Sequence, residues 1–410
     1  MAKPYYCRPQ LENVEDVEKY IPGGYHPVDI GDEIGPNGKR YEVLHKLGFS
    51  SFSTVWCVRS CLTNRYYALK ILCADAPKTN ELQIIERLRK DHANHENIVD
   101  SPESFKISGQ NGEHQCFIHP LLWPSLRSFD IFRQMSGDLR HRLCQQVANG
   151  INFLHERGIC HGSITMSNIV FELPDIQYNS PPELLKLLGD SMKFAQLKRS
   201  NGSFSEYGPR CVVQSPTSLS GLDRTKLSNI RIIDFGAAFL ADQPPQSSSA
   251  PFRYFPPELC FGYPPSVKSD IWQLAFVLYQ LHCESPLLPD ISQQPSKIAI
   301  DTIVRALGKL PSAWKGRFDP KAYGSKKEGW EGTEKESSSW FGEGNDELLE
   351  SSINSVFREA TYIVPGDRGE FSQLLKSMLA YDPKTRPDAA EVLQRLKSIK
   401  LNPLTCRSHV

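Results

Sequence analysis

Neither sign of charge is in excess in this chain: Lys plus Arg and Asp plus Glu both total 47, for a formal net charge of +0. That balance offers no electrostatic footprint for nucleic acid and none for an anionic membrane surface, so neither is expected as a partner. Long apolar runs are lacking too. The best candidate, Ile271 to Leu281, is broken by Gln273 and Gln280 and falls far short of the roughly 20 residues a bilayer span needs, so it predicts a buried core helix. The opening residues Met1 to Cys7 hold no apolar stretch; no secretory signal is expected, and the reading is an intracellular protein, cytoplasmic or nuclear. The 11 cysteines form no paired framework and fit free thiols in a reducing compartment. Cys57 and Cys61 are close in sequence, but no His/Cys partner pair elsewhere completes a metal site, so they read as ordinary thiols.

What the 410 residues do contain is a change of periodicity. Residues 1–40 are rich in Pro, Gly and acids and predict an extended leader with turns. From Tyr41 the chain turns to short β-like runs: Tyr41 to Leu44, Thr54 to Val58 and Tyr66 to Leu72, an antiparallel meander. Glu81 to Lys90 has helical spacing, and a strand pair is expected around Val99 to Ile118. Beyond Trp123 the spacing is mainly helical: Leu139 to His155, Ser269 to His282, Ser296 to Leu307, Gly369 to Leu379 and Ala389 to Lys397. The expectation is an α+β chain of two lobes, a small antiparallel β-rich one with one helix (41–122) and a larger, mainly helical one (123–401), with a short tail (402–410). Pro/Ser/Gly-rich flanks mark 172–229 as a surface insertion dispensable for folding, whose Leu184, Leu185, Leu187 and Leu188 form a short helix docking on the larger lobe. A second polar stretch spans 323–345.

Several short motifs carry chemistry. Ile232-Ile233-Asp234-Phe235-Gly236 delivers an acid into a Phe-Gly turn, and His161-Gly162-Ser163-Ile164-Thr165-Met166-Ser167-Asn168 lies upstream. Lys70 ends an apolar strand, and Glu81 or Glu86 follows it on the next helix. Leu47-Gly48-Phe49-Ser50-Ser51-Phe52-Ser53-Thr54-Val55 forms a serine-rich turn between two strands. Pro256-Pro257-Glu258, Ser269-Asp270-Ile271-Trp272 and Asp382-Pro383-Lys384-Thr385-Arg386-Pro387 complete the set. Singly each has a bland reading: a strand-end lysine reaching water, a solvated helix glutamate, an Asn that caps an element, a plain hairpin. Their order over more than three hundred residues is what raises them above chance.

In that order they resemble a eukaryotic protein kinase from about Tyr41 to Leu401. The segment Lys46 to Trp56, similar to the K-L-G-W-G-x-F-S-T-V-W of the SR-protein kinases, and the early Tyr25-His26-Pro27-Val28 carry a resemblance to that family, especially its divergent fungal branch, and Pro181 to Gly189 resembles the start of the spacer region in fungal members. The resemblance implies ATP and Mg²⁺ as cofactors and a protein substrate rich in Arg and Ser. It implies that Leu47, Gly48, Val55, Ala68, Lys70 and Glu81 bind the nucleotide, that Asn168 and Asp234 hold the metal, and that Glu258, Asp270 and Arg386 anchor the activation segment and catalytic loop. The departures are specific. Against H-R-D-L-x-x-x-N, His161 is kept, Gly162 replaces the arginine that docks a phosphorylated segment, Ser163 replaces the catalytic aspartate, and Thr165 stands where a lysine steadies the phosphoryl group. Only the first glycine of G-x-G-x-x-G-x-V is present, with Ser50 and Ser53 at the other two positions. A slow serine/threonine kinase is expected, with a pseudokinase, a nucleotide-binding scaffold, as the alternative.

Overall fold

The computed structural model describes residues 4–322, 335–342 and 365–400, apart from 37, 78, 91–94, 100–102, 129–134, 174–175, 178, 189–191, 217–221, 247–249, 284–285 and 290–295. Much of the polar stretch at 323–345 and all of the tail at 402–410 lie outside the described residues. The described residues fall into two compact units, one drawn from 1–78, 99–123 and 172–227, the other from 79–98, 124–171 and 228–410.

The first unit is built on an antiparallel sheet of six strands, β1 (Glu33–Ile34), β2 (Tyr41–Ser50), β3 (Ser53–Ser60), β4 (Tyr66–Leu72), β5 (Glu103–Gly109) and β6 (Gly112–Pro120), in the order β1-β2-β3-β4-β6-β5. Period-two alternation makes these runs strands. Tyr41 and Val43, Trp56 and Val58, Leu69 and Ile71, and Cys116 and Ile118 are buried together on one face.

The leader does more than extend. Its Tyr6, Val17, Tyr20 and Tyr25 form a second core with Cys73, Leu197 and Val212. Leu197 and Val212 belong to the insertion, which carries a hairpin of Phe194–Gln196 with Cys211–Val213. Cys7 N–H donates to the Lys198 carbonyl at 2.8 Å, tying the leader's start to that hairpin. The helix Pro181–Leu187 lies against β2 with Leu184 and Leu188 buried, and the Gln177 amide exchanges two bonds with the Tyr66 backbone, at 2.8 and 2.9 Å. This corrects the expectation that the insertion's helix docks on the larger lobe, and the buried Leu184, Leu188, Leu197 and Val212 argue against its being dispensable. Its polar flanks conceal a sparse set of apolar anchors that the sheet's own residues leave room for.

A buried charge group joins leader to sheet. The Lys46 ammonium in β2 meets the Glu15 carboxylate, both fully buried, and the Tyr20 hydroxyl donates to the same carboxylate at 2.5 Å. Burial lowers the Lys46 pKa against the pull of Glu15, and the Trp56 ring lies 5.2 Å from its ammonium. Breaking a buried pair of this kind by removing one partner costs about 3–5 kcal/mol, because the other charge is left stranded.

The second unit is mainly helical: Glu81–Lys90, Gly137–Glu156, Val267–Cys283, Ser296–Leu307, Pro365–Met378 and Ala389–Ser398. Ser136 and Asp388 cap two of these, accepting from Leu139 N–H at 3.2 Å and Glu391 N–H at 2.8 Å. Helix Val267–Cys283 is buried on nearly every side, as its apolar sequence predicts. No helix among the described residues is long and apolar enough to cross a membrane. Helix Glu81–Lys90, expected with the small lobe, groups with this unit because its buried face, Ile84, Ile85 and Leu88, packs toward the segments Phe235–Ala237 and Phe239–Leu240.

Two predictions follow from this packing. His282 is buried against the Phe371 ring at 4.6 Å, with neither ring nitrogen hydrogen-bonded among the described residues, and burial lowers its pKa from 6.5 to about 3. Unfolding therefore takes up a proton between those values, so this contribution to stability is present above pH 6.5 and falls by roughly 2 kcal/mol by pH 5; His282→Leu should flatten that loss in denaturant titrations run across the range. Deleting 172–229 behind a Gly/Ser bridge should strip the second core and abolish cooperative melting of the strand-rich unit, followed by circular dichroism and amide exchange.

Candidate active site

Two short antiparallel ladders in the helical unit decide where the motif residues sit. Ile159–Cys160 pairs with Phe239–Leu240, and Ile169–Phe171 pairs with Ile230–Ile232. The loop 161–168 joins the first strand of each ladder, and 233–238 joins the second, so the two loops lie side by side. Asn168 immediately precedes one strand and Asp234 closely follows its partner, which puts both at the same end of one ladder; Ile233 N–H donating to the Asn168 carbonyl at 2.9 Å extends it.

The loop is held from below by the start of helix Val267–Cys283. The buried Asp270 carboxylate accepts from the backbone N–H of His161 at 2.7 Å and Gly162 at 2.8 Å, and from the His155 ring at 2.9 Å. Gln273 accepts from Ile164 N–H at 2.7 Å and donates to the Gly162 carbonyl at 3.2 Å. In the sequence Gln273 serves only to interrupt an apolar run. The signal available was a polar residue inside a helix apolar on all sides, since a buried amide demands partners. His161 is fully enclosed, and desolvation lowers its pKa despite nearby Asp270 and Asp234. The neutral ring donates from Nε2 to the Ile233 carbonyl at 3.2 Å and accepts at Nδ1 from Ser163 N–H at 3.3 Å, stitching the two loops together.

Asp234 adopts φ 69° and ψ 83°, a left-handed conformation few non-glycine residues occupy, and its Oδ1 accepts from Gly236 N–H at 3.3 Å. Strain of this kind persists where surroundings impose it and marks functional turns. The Asn168 side-chain nitrogen donates to the Ser163 carbonyl at 2.9 Å and to its hydroxyl at 3.3 Å. With the nitrogen so engaged, Asn168 offers a metal only its Oδ1. A carboxylate and an amide oxygen at one end of a ladder form the hard-oxygen donor set that suits Mg²⁺, which keeps several waters and needs few protein ligands. The position expected for the base therefore holds the Ser163 hydroxyl. Thr165 is only 4% exposed, enclosed rather than reaching outward as a lysine would.

In the strand-rich unit the sheet register lines up the nucleotide candidates. Gly48 opposes Val55, Val55 opposes Lys70, and Lys70 opposes Phe117, a single row across four strands. Ala68 is one pleat away on the same face of β4, opposite Cys57, and Leu47 sits at an irregularity of β2 where the register shifts. Lys70 Nζ lies 5.9 Å from the Phe117 ring centre. Between Glu81 and Glu86 burial decides: Glu81 is 1% exposed, whereas Glu86 faces solvent. A carboxylate so deeply buried is built for a partner. Lys70 and Glu81 belong to different units.

Glu258 and Arg386 meet as a fully buried bidentate pair, both contacts 2.7 Å. Ser269 donates to Glu258 at 3.2 Å, and the Arg386 Nε–H reaches the Ala380 carbonyl at 2.8 Å, so the pair's remaining hydrogen-bonding groups find partners within the same core.

Gly162 has φ 74°, and a Cβ there would lie 2.3 Å from the Ala237 carbonyl oxygen. At the position where the resemblance expects an arginine, the Ala237 backbone thus leaves no room for a side chain. Gly162→Ala and Gly162→Arg should each cost about 1–3 kcal/mol of stability in denaturant titrations, and the arginine should bring no gain in activity.

Comparison with known proteins identifies the family and the fold. The family model described as the protein kinase domain matches residues 41–187 and 222–396, well over half of the chain. A serine/threonine protein kinase of Aspergillus fumigatus is 27% identical over 382 residues, covering 90% of this chain and 86% of that protein. SRSF protein kinase 3 of Homo sapiens is 34% identical over 175 residues, 40% of this chain and 30% of the relative. Serine/threonine-protein kinase spk-1 of Caenorhabditis elegans is 30% identical over 173 residues, 40% of this chain and 17% of the relative. A solved crystal structure of a kinase domain shares the fold, with a TM-score of 0.56 at 19% identity, covering 90% of this chain and 98% of the other. With its motifs in family order on an α+β kinase fold, the chain belongs to the protein kinase family.

Proposed function

We propose that this protein is an SR-protein-kinase-like serine/threonine kinase that binds Mg-ATP through Lys70, Glu81, Asn168 and Asp234 and transfers phosphate slowly to protein Ser/Thr. The observation that carries it is the pairing of Asn168 and Asp234 at one ladder end, beside a loop that is fully braced yet presents a hydroxyl where the base belongs. Lys70 supplies the cation for the phosphates, with Gly48, Val55 and Ala68 on its face of the sheet. The metal, when bound, neutralises charge on the phosphates.

Near pH 7 the Ser163 hydroxyl does not act as a base, and losing general-base catalysis costs about 10²- to 10⁴-fold. Positioning and electrostatic stabilisation remain, and they are the larger part of phosphoryl transfer. Similarity to SRSF kinases points to Arg/Ser-rich proteins as substrates, in the cytoplasm or nucleus. The second reading, a pseudokinase scaffold, is favoured by the same Ser163 and by Gly162, which removes the docking arginine.

Millimolar Mg-ATP should raise the thermal midpoint in a magnesium-dependent way, by mass action on the native state, and Lys70→Ala should remove the shift. Absence of any shift in the wild type would sink both readings. Ser163→Asp keeps an acceptor for the Asn168 amide and should raise phosphotransfer to an Arg/Ser-rich protein by roughly 10- to 10³-fold. If that variant binds Mg-ATP yet stays as inactive as wild type, the scaffold reading replaces the kinase. Thr165→Lys is the poorer restoration, since it places an ammonium in an enclosed site.

A further inference from the structure

The turn between β2 and β3, at the position of a glycine-rich loop, is exposed at its tip yet held by several side chains. Ser50 pairs with Ser53 across it, leaving Ser51 and Phe52 at the tip. Two-residue hairpin turns normally need positive φ at the tip, and neither Ser51 nor Phe52 has it. The tip is held by side chains instead. The Ser50 hydroxyl accepts from Phe52 N–H at 3.2 Å and bonds the Ser53 hydroxyl at 2.9 Å. From the leader, the Lys19 ammonium donates to the Ser51 carbonyl at 2.7 Å and lies 5.2 Å from the Phe52 ring centre. The Tyr25 hydroxyl donates to the Ser50 carbonyl at 2.6 Å, and Cys73 N–H donates to the Phe52 carbonyl at 2.8 Å.

Lys19 and Tyr25 are themselves one device. Tyr25 N–H donates to the Lys19 carbonyl at 2.9 Å, closing the leader into a small loop. That closure needs glycine at 24, where a Cβ would fall 1.8 Å from the same carbonyl oxygen. The loop is anchored by Gly23 N–H on the Asn111 carbonyl at 2.7 Å and by Asp75 N–H on the Gly23 carbonyl at 2.6 Å. The clamp is therefore built into the unit and is not a chance surface contact.

A loop of this kind holds phosphate through backbone N–H groups aimed at the anion. Here the Phe52 amide is already capped by the Ser50 hydroxyl. We propose that Lys19, Tyr25 and Ser50 act as positioning residues that keep this turn closed on itself, so that it grips the phosphates of a nucleotide only after these bonds release. The proposal rests on the Mg-ATP reading given above, but its first test does not.

In the full chain, Lys19→Met removes the leader's hold and Ser50→Gly uncaps the Phe52 amide. In nucleotide-free protein, amide exchange at residues 50–53 should quicken by about 3- to 10-fold in each, while Lys19→Arg keeps the slow rate. Affinity for Mg-ATP by calorimetry should rise by about 3- to 10-fold in both, with adenosine affinity unchanged, since only the triphosphate reaches the loosened turn. Unchanged exchange overturns the clamp whether or not nucleotide binds. Faster exchange with equal gains for adenosine and Mg-ATP, or with weaker Mg-ATP binding, overturns its role toward phosphate. If neither ligand binds wild type or variants, the kinase reading fails, and the exchange rates alone still decide whether the clamp exists.

Discussion

The carboxylate of Asp270 sits at the start of a helix buried almost all round, and it is satisfied by two backbone amides of one loop and by the ring of His155. A buried charge in that setting has few alternatives, because losing any donor leaves it desolvated and underbonded. The loop from His161 to Asn168 is consequently fixed at its origin by electrostatics and not by its own sequence preferences. Gln273 fixes the next amide along, and the ladder to Ile230–Ile232 fixes the loop's end. Everything between inherits its place. This explains how the loop holds its conformation with glycine, serine and threonine at positions 162, 163 and 165.

The strand-rich unit obeys a different constraint. Its sheet alone would leave Lys46 as a cation inside an apolar face, and the leader answers by bringing Glu15 and Tyr20 to it. Buried ion pairs are weak contributors to stability but strong arbiters of which segment goes where. The pair commits the leader to one path, the leader's tyrosines create a second core, and the insertion's Leu197 and Val212 fill it. Segments nearly two hundred residues apart in sequence thus become one packing problem.

Much of this was legible in the chain itself. Strand β4 and the helices Glu81–Lys90 and Ser296–Leu307 have the bounds their periodicity gives, because there the local preference and the tertiary burial agree. Glu258 meets Arg386, and Asp270 holds the His161 and Gly162 amides, since each of these motifs encodes a buried partner as well as a residue. The insertion misled because composition reports on the majority of its residues, whereas docking depends on a few: Leu184, Leu188, Leu197, Val212 and Val213. Glu81 is the partner the resemblance implies, with Glu86 also on the same helix, and burial separates the two. Gln273 was invisible for a related reason, as a buried amide announces its importance only when its hydrogen-bond partners are known.

The contact between Gly162 and the Ala237 carbonyl reaches beyond the loop it shapes. A glycine usually leaves room for a side chain, but here the neighbouring backbone occupies the volume that a Cβ would need. Any side chain at Gly162 requires the Ala237 backbone to shift as well. Serine 163 faces no such barrier. Position 162 is thus held to glycine by its neighbour's backbone, a constraint set by packing and not by chemistry.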